Sequence, residues 1–217
     1  MLAIDTSSPA VTTGVVSVGQ DVVLVAERAP VAPRGHGELL APAIVDCLAE
    51  AGARPRDIGA VVAGVGPGPY TGLRVGLATA AAFADAIGAP AYGVGSLDAL
   101  AVAAADEPRL LVVADARRRE VYWARYERGA AVTEPAVGRP AEIPAEDATA
   151  AAGAGAEMYA EAWARLRRRA ERHPDALSLA RAAAPRIRAG AAGERLTPRY
   201  LRRPDAVAPG APKTVLQ

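Results

Sequence analysis

A chain of 217 residues, 51% of them hydrophobic, carries enough apolar side chains for one large core or two smaller ones. No run approaches the roughly 18 consecutive apolar residues of a membrane span, and no basic segment precedes a signal-type run, so a soluble, cytoplasmic protein is expected. The single cysteine, Cys47, excludes an internal disulfide, and no Cys/His spacing resembles a zinc site.

Leu2-Ala-Ile-Asp5 is a short apolar run ending in an acid, Thr6 to Pro9 is turn chemistry, and two β-branched runs follow, Val11 to Val18 and Val22 to Ala26. Three strands are predicted. After a Pro/Gly-punctuated loop, Leu40, Ile44, Cys47, Leu48 and Ala51 recur at helical spacing and predict a helix over 38–51, with Gly52 as C-cap. Pro42 has no N–H to donate, so it kinks any helix that begins as early as His36. Ala60 to Val65 predicts a buried strand. The loop Gly66-Pro-Gly-Pro-Tyr-Thr71 leads into a second helix striped by Leu73, Leu77, Ala80, Ala84 and Ile87, with Thr71 as N-cap and Gly88 as C-cap. Ala91 to Val94 predicts another strand, and Ser96 caps a third helix.

The pattern then restarts. Leu110-Leu-Val-Val-Ala-Asp115 repeats the apolar-run-then-acid of Leu2 to Asp5, and Val121 to Tyr126 alternates as its hairpin partner. Beyond it the sequence predicts an Arg-rich helix over 157–172, a short helix over 177–184 and a disordered tail over 209–217. Two β-β-β-α-β-α units, each opened by a strand ending in Asp, predict an α/β protein of two ribonuclease-H-like halves. The first spans 1–105; the second, 106–217, is smaller and degenerate.

Charge is uneven: residues 155–205 hold 12 Arg against 6 acids, and residues 1–154 hold 12 Arg against 18 acids. Such a C-terminal patch suits nucleic-acid phosphates, but a solvated helix face explains it at lower cost. With 24 Arg to one Lys, the arginines read as compositional bias and are weak evidence of function.

Asp5, Thr6 and Ser7 combine a carboxylate with hydroxyl and amide donors, which suits a magnesium nucleotide; a carboxylate capping its own turn explains Asp5 as well. Gly64 to Gly76 is the most information-rich segment. It is not a Walker loop, although backbone amides at its helix start suit phosphate. Tight packing accounts for Gly72 and Gly76 but leaves Tyr70 and Arg74, which read as exposed. His36 with Glu38 falls short of the three ligands a transition metal needs, so no metal is expected and His36 reads as a helix-start or interface residue. No nucleophile and base stand together: His173 is assigned to the basic helix, and Ser7, Ser8 and Ser96 lack an evident partner.

Six motifs in order resemble the TsaB family, also called YeaZ. They are Leu2-Ala-Ile-Asp-Thr-Ser, His36-x-Glu-Leu-Leu-x-Pro42, Gly66-Pro-Gly-Pro-Tyr-Thr-Gly-Leu-Arg74, Gly93-x-x-Ser-Leu-Asp-Ala-Leu100, Asp115-Ala-Arg-x-x-Glu-Val-Tyr122 and Pro198-x-Tyr-Leu-Arg202. Together they span most of the chain; the connection over 145–156 is short and the second half is diluted with alanine. The resemblance implies two actin-like halves, the first carrying partner-binding helices. Catalytic relatives hold a metal with paired histidines, and here position 40 is Leu. The implied role is a scaffold or activator, without catalysis of its own, in the machinery that installs threonylcarbamoyladenosine on tRNA. Its implied partners are the transferase subunit TsaD and the ATPase TsaE, with tRNA reached indirectly through the complex and a homodimer when alone. ATP and Mg would serve the complex, with no cofactor assigned to this chain.

The partner face is assigned to the first two helices, because Leu39, Val45 and Leu48 spread outside the Leu40/Ile44/Cys47 stripe and one sheet face cannot cover both sets. Its expected residues are His36, Leu39, Leu40, Ile44, Tyr70, Thr71, Leu73, Arg74, Gly76 and Ala80, the last two being small enough to admit another helix. Two other readings compete. An ATP-dependent phosphotransferase of the actin-like superfamily needs a Gly-rich adenosine loop in the second half, where only Gly153-Ala-Gly155 offers one. A ribonuclease-H-like nuclease needs three or four clustered carboxylates, and Asp5 and Asp115 supply two from different halves.

Overall fold

The computed structural model describes residues 1–202; the tail over 209–217 lies outside them. In the first half β1 (Leu2–Asp5), β2 (Thr12–Val18) and β3 (Val22–Arg28) are followed by α1 (His36–Glu50), β4 (Val61–Gly64), α2 (Tyr70–Ile87), β5 (Ala91–Val94) and α3 (Ser96–Ala103). The second half has β6 (Leu110–Asp115), β7 (Val121–Glu127), β8 (Ala130–Ala131), β9 (Ala136–Gly138), β10 (Ala150–Ala152), α4 (Ala154–Met158), β11 (Arg167–Arg168) and α5 (Ala176–Arg188).

Two separate sheets result, in the orders β3-β2-β1-β4-β5 and β11-β10-β6-β7-β8, with β9 also pairing β7. Read from its far end, the second repeats the plan of the first. Each opening strand lies at the centre, antiparallel to its hairpin partner and parallel to the strand on its other side. Asp5 and Asp115 end the two equivalent strands, as the repeated apolar-run-then-acid pattern requires. This is the ribonuclease-H-like arrangement, used twice.

Strand alternation distributes the side chains. Leu2 and Ile4 of β1 enter a core with Leu40, Ile44, Cys47, Leu73, Leu77 and Ala80 from α1 and α2, whereas Ala3 faces Leu179 and Ala183 of α5. Cys47 is fully buried there, and burial pushes its thiol up to about 11. The helices are exchanged between the sheets. Leu97, Leu100 and Ala101 of α3 pack on Leu110, Val112 and Tyr126 of the second sheet, and α5, which follows the second sheet in the chain, covers the first. Gly14 admits α5, since a Cβ there would stand 2.6 Å from that of Ala176. Thr12 Oγ1 donates to the Pro174 carbonyl at 2.8 Å, and Ala176 N donates to Glu27 Oε1 at 2.7 Å.

Several local expectations are corrected. Helix α1 begins at His36 behind Gly35 (φ 97°) and holds Pro42 within it. Thr71 and Ser96 are not N-caps; Pro69 and Gly95 hold those places. The Arg-rich helix over 157–172 does not form. Trp163 and Leu166 are buried against the second sheet, and β11 pairs with β10. Strand spacing then sends Arg167 and Arg169 to the same side, where both bond the buried carboxylate of Glu107. Arg169 also bonds Asp106 and Glu171, Arg165 donates to the Ala145 carbonyl and Arg172 pairs with Glu157. Much of the basic patch is thereby neutralised inside the molecule. The helix expected over 177–184 is longer, as α5.

After α5 the chain returns along the open edge of the first sheet as a strap. Glu194 N donates to Ala91 O and Arg199 N to Val65 O, each at 2.8 Å. Arg202 Nη1 then reaches the Ala116 carbonyl at 2.8 Å, and its guanidinium pairs with Glu120, tying the strap to the second half. Arg202→Ala should lower stability by about 1 kcal/mol, since one partly buried hydrogen bond is lost with an ion pair that solvent partly screens. Urea unfolding checks this; an unchanged midpoint would show the strap to be idle.

Candidate functional site

The turn after β1 is buried, with Asp5 and Thr6 each 1% exposed and Ser7 7%. Asp5 Oδ1 accepts from Ser7 N at 2.8 Å and Ser7 Oγ at 2.7 Å, and Oδ2 accepts from Ser96 Oγ at 2.6 Å. Ser96 Oγ in turn accepts from Gly66 N at 3.1 Å, which is why Ser96 does not cap its helix. Thr6 Oγ1 donates to the Gly72 carbonyl at 2.8 Å. The glycines are moulded around this turn: a Cβ would stand 1.7 Å from Asp5 Oδ2 at Gly64, 2.4 Å from Ser7 O at Gly68 and 2.2 Å from Thr6 Oγ1 at Gly76. Ser7 and Ser96, without evident partners in the sequence, share one.

Burial raises the Asp5 carboxyl above its ordinary 3.8, and the bonds from Ser96 and Ser7 and the charge of His36 oppose that rise. A folded value above the unfolded one means that this group's stabilisation is complete below the unfolded value and is lost as pH rises through the folded value. Asp5→Asn keeps both sides of the turn bonded and removes the titration. The stability of the native chain relative to this variant should therefore fall as pH rises from about 4 towards 8. Parallel stability curves for the two, from urea unfolding across that range, would contradict this.

Between the halves lies a cleft of about 60 Å³ bordered by Ser7, Ser8, Asp115, Arg117, Met158 and His173. Small-molecule sites begin near ~300 Å³. His173, expected on a surface helix, stands here on the turn between β11 and α5. Its buried Nδ1 has no partner among the described residues, and burial followed by the charge of Arg172 lowers its pKa. The sequence carried no signal for this placement. Gly153 and Gly155 close on β6, where added Cβ atoms would meet Val113 O at 2.1 Å and Val113 Cγ1 at 2.8 Å. Among the described residues no three His, Cys, Asp or Glu side chains gather as a metal site, and no helix is long and apolar enough to cross a membrane.

The expected partner face divides into two sets. Leu40, Ile44, Leu73, Gly76 and Ala80 are buried in the first half's own core and are not available to a partner. Their i, i+4 stripes point at the sheet, and Gly76 makes room for Thr6 instead of for a foreign helix. His36 and Leu39 are half-buried, whereas Thr71, Arg74, Tyr70 (40%) and Val45 (64%) are exposed. Tyr70 stacks on Tyr200 of the strap with ring centroids 4.8 Å apart. The Arg74 guanidinium lies 3.9 Å over the Tyr70 ring and donates to Tyr200 Oη at 3.0 Å. Tyr70 and Arg74, which packing alone does not require, thus meet a third residue 126 positions from Arg74. His36 Nε2 lies 2.8 Å from the Ser8 carbonyl; a carbonyl only accepts, so Nε2 carries the proton.

The family described as "TsaD: tRNA N6-adenosine threonylcarbamoyltransferase" matches residues 29–166. The solved structure "YeaZ from Pseudomonas aeruginosa" superposes with a TM-score of 0.77 at 29% identity, covering 92% of this chain and 98% of that one. The chain belongs to the TsaB (YeaZ) family. Within it, the Escherichia coli K12 "tRNA threonylcarbamoyladenosine biosynthesis protein TsaB" is 35% identical over 131 residues, 59% of this chain and 55% of its own. The chain thus spans little more than half of that TsaB. An uncharacterized protein of Mycobacterium tuberculosis H37Rv is 50% identical over 154 residues, 71% of this chain and 72% of its own. The YeaZ superposition covers both halves, so the degenerate second half is also TsaB-like in fold.

Proposed function

We propose that this chain is a non-catalytic subunit of the tRNA threonylcarbamoyladenosine machinery, working in the cytoplasm as a scaffold for a TsaD-type transferase and, with it, a TsaE-type ATPase. The observation that carries the reading is the exposed Tyr70–Arg74–Tyr200 cluster, with Val45 on α1 as a further exposed apolar side chain of the first half. Tyrosine and arginine are the residue types that dominate binding energy at interfaces, and three of them stand together here at the start of α2. A second copy of the chain would use the same face when no transferase is present, so the two partners exclude each other.

The site chemistry supports a scaffold over an enzyme. Asp5 is enclosed and fully hydrogen-bonded, Asp115 belongs to the other sheet, and the Gly153-Ala-Gly155 stretch is pressed against β6. A phosphotransferase reading gains nothing from these positions. The test is to mix the chain with a TsaD-type transferase and tRNA on a sizing column and to assay the modification. A joint peak and modification that requires both proteins are expected. ATP turnover by the pure chain that disappears in Asp5→Ala would overturn the reading.

A further inference from the structure

We infer that the hollow at the start of β6 binds a small free α-amino acid as its zwitterion. The hollow measures about 180 Å³ and is bordered by Arg109 and Leu110 at the start of β6, Arg125 and Glu127 of β7, Val132 beyond β8, and Asp147 of the connection into β10. Asp115 closes the other end of β6, about 20 Å away along the strand, and the hollow shares no residue with the cleft between the sheets. Sites for drug-sized ligands begin near ~300 Å³, so a hollow of this size suits an occupant of few heavy atoms.

Strand alternation supplies the chemistry. Ala124 and Tyr126 of β7 are buried towards α3, which turns Arg125 and Glu127 to the opposite face of the sheet. The Arg125 guanidinium is short of partners. Its Nε is buried with no acceptor among the described residues, and its Nη1 stands 3.8 Å from Asp147 Oδ2, too far for a hydrogen bond. Arg109 and Glu127 are exposed, and neither side chain has a hydrogen bond or ion pair among the described residues. The walls, in contrast, are fixed. Arg125 N donates to Thr133 Oγ1 and Val132 N to the Arg125 carbonyl, each at 2.9 Å, and Thr149 N and Oγ1 both donate to the Arg109 carbonyl at 2.9 Å. A ligand therefore meets a preformed site, which keeps the ordering cost of binding low.

The charges select the ligand. Two arginines and two acids border the hollow, so the acids disfavour a phosphate and the arginines a simple amine. A zwitterion satisfies both sets at once through charge-assisted hydrogen bonds. The 3.8 Å between the Arg125 and Asp147 side chains matches a molecule whose ammonium and carboxylate share one carbon. Val132, 50% exposed, offers an apolar wall to a small aliphatic side chain. The inference does not rest on the proposed scaffold role, and the chain alone suffices to test it.

The experiment is calorimetric titration of the full chain with L-valine, isobutylamine, isovalerate and inorganic phosphate. L-valine should bind with a millimolar or lower Kd. Isobutylamine and isovalerate, which each lack one of its two charges, should bind at least about tenfold more weakly. Arg109→Gln and Glu127→Gln should each weaken L-valine at least about tenfold, with unchanged circular dichroism. Arg168→Gln, an exposed arginine on β11 outside the hollow, should bind as the native chain does. Failure of L-valine to bind at millimolar concentration would overturn the inference, and so would undiminished binding in both Arg109→Gln and Glu127→Gln. Equal binding of isovalerate, or tighter binding of phosphate, would also overturn it, in favour of a plain anion site.

Discussion

Gly64→Ala should destabilise the protein by about 3–5 kcal/mol, from overpacking together with broken hydrogen bonds to a buried carboxyl. The added Cβ would stand 1.7 Å from Asp5 Oδ2, 2.6 Å from its Cγ and 2.9 Å from Ser96 Oγ. Relief by rotation of Asp5 would break its bonds to Ser7 and Ser96 and leave a carboxyl 1% exposed without partners. Relief by movement of the backbone would part β4 from β1, which it pairs through Leu2 and Val61. Gly59→Ala is the control, since nothing lies within 4 Å of a Cβ there, and its stability should stay within about 0.5 kcal/mol of the native chain. Urea unfolding of the two variants decides. A Gly64→Ala chain within about 1 kcal/mol of the native one would mean that the enclosed turn is softer than its geometry implies.

Val45→Asp should leave the chain folded and weaken its complex with a TsaD-type transferase by at least about thirtyfold, the equivalent of about 2 kcal/mol. Val45 is 64% exposed on the outside of α1, so a carboxylate there is solvated in the free chain and is desolvated without a partner only when the face is covered. Arg74→Ala should act in the same direction by dismantling the stack with Tyr70 and Tyr200. Ala80→Arg, by contrast, tests nothing about binding, because Ala80 is 0% exposed and a guanidinium there breaks the core. Near-native affinity in both Val45→Asp and Arg74→Ala, measured by calorimetry, would place the interface elsewhere.

The strands and long helices were legible because their signals are local. Asp5 and Asp115 each close an apolar run, and stripes such as Leu40, Ile44 and Cys47 repeat at the period of a helix. Those same stripes misled the assignment of a partner face. An apolar side chain reads alike whether its own sheet or another protein covers it, and Leu40, Ile44, Leu73 and Ala80 all turned inward. The position of Ser96 alone predicts a helix cap, yet its hydroxyl serves an acid 91 residues away, beyond any window of local pattern. The arginines over 165–172 looked helical by composition. Burial of Trp163 and Leu166 and the pull of Glu107 on alternate residues made a strand edge of them instead.

The exchange of α3 and α5 also bears on how the molecule can move. Each sheet is completed by a helix that the other's stretch of chain delivers, and the two helices touch each other on the way. A chain laced in this manner has no seam along which its halves can part, since separating them would strip Leu179 and Ala183 from one sheet and Leu97 and Leu100 from the other. A partner that grips α1 therefore also fixes the bearing of the second sheet, whose first strand begins 60 residues after α1 ends (110 against 50).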